Sequence, residues 1–173
     1  MSENQKKIWI TGASSGIGKA VAEKFAKEGW KVAVSARRKE LLDELAQNQN
    51  IVSFPLDVTN NNQINEVFKN ILTEFKDLDI CLFSSGTYEP KDELSIDPDK
   101  IRNVINVNFL GVIDCVKTVE DYFKNKKSGH ISIVSSIAGY RGLPNSSGYG
   151  PSKAALTNFS ESIYFDFKKF GVR

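Results

Sequence analysis

The sequence predicts a doubly wound α/β fold, a parallel sheet held between two layers of helices (three-layer αβα). Three observations carry that prediction. Short apolar runs alternate with segments of helical periodicity along all 173 residues. The first run is followed at once by a glycine-rich turn, and the turn by a helical pattern. The run Leu78–Phe83 is almost continuously apolar, as strands are when both faces of a parallel sheet are covered.

Lys7-Ile8-Trp9-Ile10 reads as the first buried strand, and Thr11–Gly18 (Thr-Gly-Ala-Ser-Ser-Gly-Ile-Gly) as the turn after it. Ile17, Ala20, Val21, Ala22 and Phe25 then recur at helical spacing up to Gly29, a natural helix stop. Lys31–Ala36 is a second strand, and Lys39–Gln47 a helix with Leu41, Leu42 and Leu45 on one side. Ile51–Pro55 is a third strand, followed by a helix over Asn62–Phe75 built on Ile64, Val67, Phe68 and Ile71. After the fourth strand, Leu78–Phe83, Asp97-Pro98 marks the start of a long helical region reaching about Lys127. His130–Ser135 is the fifth strand and Gly148–Phe170 the last helix. Ligands of such sheets bind at the carboxyl ends of the strands, and Gly12, Gly86 and Ser136 each fall just beyond one.

Composition narrows the function. The length suits one domain, 1–173, with a real core; 40% hydrophobic and 25% charged residues are ordinary for a soluble globular chain. A net charge of +2 gives no reason to expect nucleic acid or a membrane surface as partner. The stretch Met1 to Lys7 is polar, and no apolar stretch reaches membrane-spanning length. Cys81 and Cys115 are isolated from each other in sequence, which fits a reducing, cytoplasmic setting better than a disulfide framework. The single His130 reads as structural, and without a cluster of ligands no metal site is expected.

The chemistry is concentrated in Tyr149-Gly150-Pro151-Ser152-Lys153, with Ser136 thirteen positions upstream. A phenol is a poor proton donor or acceptor near neutral pH, and an ammonium fixed close by favours its ionised form. Residues four apart share a helix face, so Tyr149 and Lys153 can share a site. At the other end of the chain, strand, glycine turn and helix form the context of a dinucleotide-binding loop, in which backbone approaches the pyrophosphate and the helix N-terminus supplies unpaired N–H groups. At the end of the second strand the chain offers Ala36, Arg37 and Arg38, with no carboxylate before Glu40. An acidic residue there would bind the ribose 2′-hydroxyl of NAD, whereas arginine favours a 2′-phosphate. NADP(H) is therefore favoured, with NAD(H) the alternative.

Together these residues resemble the short-chain dehydrogenase/reductase family, whose shorter members pair T-G-x-x-x-G-x-G with Y-x-x-x-K and an upstream Ser; the resemblance runs from about Lys6 to the last residue. It implies a Rossmann-type fold and an oxidoreductase that moves hydride between the cofactor and a small carbonyl or secondary alcohol. Gly12, Ser14, Ser15, Gly16, Ile17 and Gly18 would hold the phosphates, Arg37 the 2′-phosphate, and Asp57 and Val58 the adenine. Ser84 and Gly86 would line the cofactor after the fourth strand. Tyr149 would be the acid/base, and Lys153 would make it a better acid while binding the nicotinamide ribose. Ser136 would hydrogen-bond the substrate oxygen beside Tyr149, and Asn108, in the N-x-x-G segment Asn108–Gly111, would complete a proton relay through water. The segments Thr87–Pro90 and Ile137–Asn145, with Tyr88, Tyr140, Leu143 and Pro144, suggest a partly apolar substrate. A sugar-nucleotide epimerase shares Y-x-x-x-K but fits the spacing of Gly12, Gly16 and Gly18 less well.

Two departures bear on this reading. Where the family has N-N-A-G, this chain has Phe83-Ser84-Ser85-Gly86, so serine hydroxyls are expected to replace the amides only partly. The resemblance also implies a sixth strand, a substrate-covering loop and a seventh strand beyond Gly171-Val172-Arg173, so the fold is expected to be truncated after the last long helix, with an uncovered sheet edge beside strand five. A non-catalytic nucleotide-binding module, or an inactive fragment of such a reductase, is the alternative. The helix stripes Val112, Val116, Val119, Phe123 and Leu156, Phe159, Ile163, Phe167, Phe170 are expected to face the sheet. By resemblance, the outer faces of those two helices would pack in a homodimer or homotetramer.

Overall fold

Trp9 lies fully buried at the middle of the molecule because its strand has neighbours on both sides. The computed structural model describes residues 5–88 and 96–173. Five strands, β1 (Lys7–Thr11), β2 (Lys31–Ser35), β3 (Ile51–Ser53), β4 (Ile80–Phe83) and β5 (His130–Ile133), form one sheet in the order β3-β2-β1-β4-β5. Every pairing is parallel. The register sets Thr11 opposite both Ser35 and Phe83, and Phe83 opposite Ile133, so four strands end level. The segments that follow them emerge on one side of the sheet. The chain reverses its direction of winding between β3 and β4, which opens the crevice between β1 and β4 that doubly wound sheets use for ligands.

Helices cover both faces, as the alternating apolar runs require. On one side, α1 (Gly16–Lys27) and α2 (Lys39–Leu45) bury Ala22, Ala26, Leu42 and Leu45 against Ile8, Ile10, Val32 and Val34. On the other, α3 (Asn61–Phe75), α5 (Gly111–Lys126) and α6 (Tyr149–Lys168) enclose a larger core around Trp9, Phe68, Phe83, Phe123 and Leu156. Trp9 stacks on Phe68 at 5.9 Å, meets the edge of Phe83 at 5.7 Å, and donates its indole N–H to Ser35 Oγ at 2.9 Å. Helix starts follow from capping side chains. Asn60 accepts from the Gln63 N–H, and Asp97, ahead of Pro98, accepts from the N–H groups of Asp99 and Lys100. Cys81 and Cys115 are both free and buried.

The long helical region expected from Asp97 is three pieces. Helix α4 (Pro98–Ile105) passes into a π-turn, Asn106–Leu110, before α5 begins at Gly111. The π-turn carries one extra residue per turn, and Asn108 at its middle is fully buried. At the sheet edge beside β5 the last residues make one isolated bridge. Val172 bridges Gly129 in parallel, the Ile131 N–H donates to the Arg173 carbonyl at 2.7 Å, and the Arg173 N–H donates to the Gly129 carbonyl at 3.1 Å. Gly171, at φ +73°, makes the reversal after α6 that returns the chain to the sheet. Both stripes pack inward as expected, apart from Phe170, which is exposed. Among the described residues, no helix is long and apolar enough to cross a membrane.

Candidate active site

A cleft of about 480 Å³ opens where β1, β2, β4 and β5 end level. Its floor is the loop between β1 and α1, and the loop is glycine-rich for steric reasons. A Cβ on Gly12 would lie 2.7 Å from the Ser84 backbone, and one on Gly18 would lie 2.5 Å from the Gly12 carbonyl oxygen. Backbone therefore crosses backbone at two places, which only glycine permits. Gly16 differs: its φ is +56° and nothing lies within 4 Å of where a Cβ would stand. A side chain there would project into unfilled space beside the first turn of α1. No side chain caps that turn; Ser15 occupies the N-cap position without making a capping bond. The turn thus offers backbone donors and the positive end of the helix dipole to an anionic group.

All the residues expected from sequence to touch the cofactor line this cleft: Gly12, Ser14, Ser15, Gly16, Ile17, Gly18, Arg37, Asp57, Val58, Ser84, Gly86, Tyr149 and Lys153. Arg38 also lines it and is the more engaged of the two arginines. Its guanidinium donates to Ser14 Oγ from Nη2 at 2.8 Å and from Nε at 3.2 Å, and to Ser15 Oγ at 2.8 Å. The pair Arg37-Arg38 was the only sequence signal for it. Asp57 turns inward on its own segment, its Oδ1 accepting from the N–H and hydroxyl of Thr59 at 3.0 and 2.8 Å. Ser84 donates to the Thr11 carbonyl at 2.6 Å, so a serine does link β4 to β1 in this chain.

At the other wall, α6 begins at Tyr149 and brings Lys153 beneath it one turn later. Lys153 is only 4% exposed. Its ammonium donates to the Val134 carbonyl at 2.7 Å and stands 5.8 Å from the centre of the Tyr149 ring. Burial lowers the Lys153 pKa from 10.5 to about 8. The Tyr149 ring also meets the Tyr88 ring edge-on, with centroids 5.0 Å apart.

Ser136 and Asn108 lie outside the cleft lining. Ser136, half-buried at the end of β5, accepts from the Ala138 N–H at 3.2 Å and so caps the short 3₁₀ turn Ile137–Gly139. Its own hydroxyl proton remains able to donate. Asn108 is fully buried, and its amide bonds go to Thr87 and Ser152 rather than to Lys153. Of the expected substrate segments, Tyr88 and Tyr140 are exposed, as are Leu143 and Pro144, while Glu89 and Pro90 lie outside the described residues.

The sequence profile of the short chain dehydrogenase family matches residues 6–173. The chain belongs to that family. Dehydrogenase/reductase SDR family member 7 of Mus musculus is 31% identical over 172 residues, covering 94% of this chain and 51% of the relative. Oxidoreductase BOA17 of Botryotinia fuckeliana is 33% identical over 171 residues, covering 96% of this chain and 62% of the relative. The present short-chain dehydrogenase thus spans about half the length of the first and about three-fifths of the second. A short-chain dehydrogenase from Streptomyces avermitilis superposes with TM-score 0.92 at 28% identity, over 99% of this chain and 64% of that one. ElxO, solved with NADP bound, superposes with TM-score 0.91 at 30% identity, over 98% and 71%.

Proposed function

We propose that this short-chain dehydrogenase binds NADP(H) in the cleft between β1 and β4 and interconverts a carbonyl compound and its secondary alcohol, with Tyr149 as the acid/base. The observation that carries the reading is that Lys153, a buried ammonium, and Tyr149 stand on the wall of the same cleft whose floor is the glycine loop. The cleft suits the cofactor: an uncapped helix start and an unfilled Gly16 position lie where a pyrophosphate would be held. A bound nicotinamide supplies or accepts the hydride.

The residues divide the remaining work. Tyr149 donates its phenolic proton to the carbonyl oxygen during reduction and recovers it during oxidation. Lys153 places a positive charge beside the phenol, opposite in sign to the charge that proton donation leaves there, and would also hold the nicotinamide ribose. Ser136, whose hydroxyl hydrogen is not committed to its cap, donates to the oxygen on which charge develops. Arg38, already drawn over Ser14 and Ser15, and Arg37 beside it offer guanidinium donors to a 2′-phosphate, and Ala36 supplies no carboxylate to repel it. That ElxO was solved with NADP supports this cofactor for the present chain.

Exposed Leu110 on the π-turn and Phe165 on α6 support packing against a second copy, as a homodimer or homotetramer. Two free cysteines support a reducing, cytoplasmic setting. The test is NADPH consumption with a panel of aliphatic, cyclic and aromatic carbonyls, alongside cofactor affinity. Wild-type turnover that disappears in Tyr149→Phe with NADPH affinity intact supports the reading. Tight NADPH binding with no turnover of any carbonyl supports a nucleotide-binding module instead.

A further inference from the structure

We propose that Ser135 and Ser152 are positioning residues for the Tyr149–Lys153 pair, each hydroxyl holding the backbone carbonyl of one member and tying it to a different strand end. The proposal rests on the acid/base reading above and goes beyond it by naming what fixes the helix turn on which that reading depends.

Ser152 Oγ donates to the Tyr149 carbonyl at 2.7 Å. A serine bonding back to a carbonyl three residues earlier is commonplace in helices and ordinarily ends there. Here the same oxygen accepts Asn108 Nδ2 at 3.1 Å. The Asn108 amide is in turn held from both sides by the backbone of Thr87, whose N–H donates to Oδ1 at 2.7 Å and whose carbonyl accepts from Nδ2 at 2.9 Å. A continuous chain of hydrogen bonds therefore runs from the segment after β4 to the backbone of Tyr149. Asn108 and Ser152 are fully buried, so no solvent competes with its central link.

Ser135 performs the matching task at the end of β5. Its Oγ lies 2.9 Å from the Lys153 carbonyl oxygen and 2.7 Å from Thr157 Oγ1, which itself lies 3.1 Å from the same carbonyl. Two hydroxyl protons serve three contacts, so one hydroxyl donates to the Lys153 carbonyl and the other donates to that hydroxyl. In either arrangement Ser135 is tied to the Lys153 carbonyl, directly or through the Thr157 hydroxyl, and it immediately precedes Ser136. The turn that Ser136 caps is pressed onto the same place, since a Cβ on Gly139 would lie 2.9 Å from the Lys153 carbonyl carbon. The strand end that bears Ser136 and the helix turn that bears Tyr149 and Lys153 are thereby registered against each other.

Alanine at either position removes a hydroxyl and leaves the helix and its apolar packing in place, so the effect falls on placement. Displacements approaching 1 Å at a reacting centre lower turnover by roughly a hundredfold. The full chain carrying Ser135→Ala, Ser152→Ala or Ser135→Thr is compared with wild type by saturating turnover on the carbonyl panel, NADPH affinity, and the titration midpoint of Lys153 read by NMR of its labelled Nζ. Turnover should fall about tenfold or more in both alanine variants, with the NADPH Kd changed by less than about threefold, and Ser135→Thr should recover most of it. The Lys153 midpoint should rise by roughly one pH unit as water reaches a loosened turn. Unchanged turnover and an unchanged midpoint in both alanine variants would overturn the proposal. If wild type binds NADPH but reduces nothing, the oxidoreductase reading fails, and the Lys153 midpoint alone decides the clamp: a rise supports it and no change overturns it. Should Ser135→Ala melt too low to assay, Thr157→Val, which removes the hydroxyl that shares the Lys153 carbonyl with Ser135, is read in the same way for that half of the clamp.

Discussion

Lys153 Nζ donates to the Val134 carbonyl at 2.7 Å from a site that is almost fully buried, so the ammonium that would serve Tyr149 is held against the end of β5. Burial lowers its pKa from 10.5 to about 8. The unfolded chain keeps this proton to about pH 10.5, the folded chain only to about pH 8. Between those values the unfolded state binds more protons, so stability rises with pH; below about 8 both states are charged and the full penalty of burial is present. The shift corresponds to about 3 kcal/mol. Lys153→Met should therefore be more stable than wild type at pH 7 by about 1–3 kcal/mol, with the advantage shrinking from pH 8 to 10.5. Urea unfolding of both proteins across that range measures it, and a difference independent of pH would remove the burial penalty from the account.

Gly16 and Gly18 separate the structural from the ligand-directed demands of the loop. In Gly18→Ala the new methyl would stand 2.5 Å from the Gly12 carbonyl oxygen and 2.7 Å from Ser84 Oγ, so backbone must move. A loss of about 3 kcal/mol or more is expected, visible as a large fall in Tm. In Gly16→Ala the methyl meets open space, and only the left-handed backbone opposes it, at about 1 kcal/mol. That variant should melt close to wild type and yet bind NADPH at least roughly tenfold more weakly, because the methyl fills space the cofactor needs. Calorimetry paired with cofactor titration distinguishes the two variants, and normal NADPH affinity in Gly16→Ala would move the phosphates elsewhere.

The pattern of strands was legible because a buried parallel sheet demands uninterrupted apolar runs, and Ile8–Ile10, Val32–Val34 and Cys81–Phe83 supply them. The glycine loop was legible for a related reason: Gly12 and Gly18 mark close approaches that no other residue tolerates. The π-turn at Asn106–Leu110 was not, since one added residue leaves Val104, Val107 and Val112 at spacings an unbroken helix would also show. The clamp by Ser135 and Ser152 was hidden as well, because a hydroxyl has no periodicity and its partners lie 18 and 44 residues away. The bridge from Val172 to Gly129 depends on a pairing between distant segments that neither one encodes by itself.

Arg38 and Arg37 are indistinguishable as letters, and the backbone separates them. Arg38 precedes α2, and its guanidinium reaches back over Ser14 and Ser15. Arg38→Ala should weaken NADPH binding by about ten- to a hundredfold, the range of a charge-assisted hydrogen bond lost to a phosphate, while NADH binding changes by less than about threefold. Parallel titrations with the two cofactors measure the ratio. Equal losses for both would mean that Arg38 only braces the loop.

Ser84 is the remaining test of how a hydroxyl serves where the family has an amide. Its hydroxyl donates to the Thr11 carbonyl at 2.6 Å, joining β4 to the end of β1, directly below the point where Gly12 crosses the Ser84 backbone. The neighbouring Thr11 Oγ1 is buried without a hydrogen-bond partner, so this corner of the sheet already carries one unsatisfied polar atom. Removing the serine hydroxyl takes a donor from a second. Ser84→Ala should lower the free energy of unfolding by about 1–2 kcal/mol, more than a surface serine would, with NADPH affinity falling by no more than about threefold. Urea denaturation read by tryptophan fluorescence suits the measurement, because the Trp9 indole is buried in β1, the strand that ends at Thr11. Wild-type stability in Ser84→Ala would show that β1 and β4 hold their register through the ladder alone.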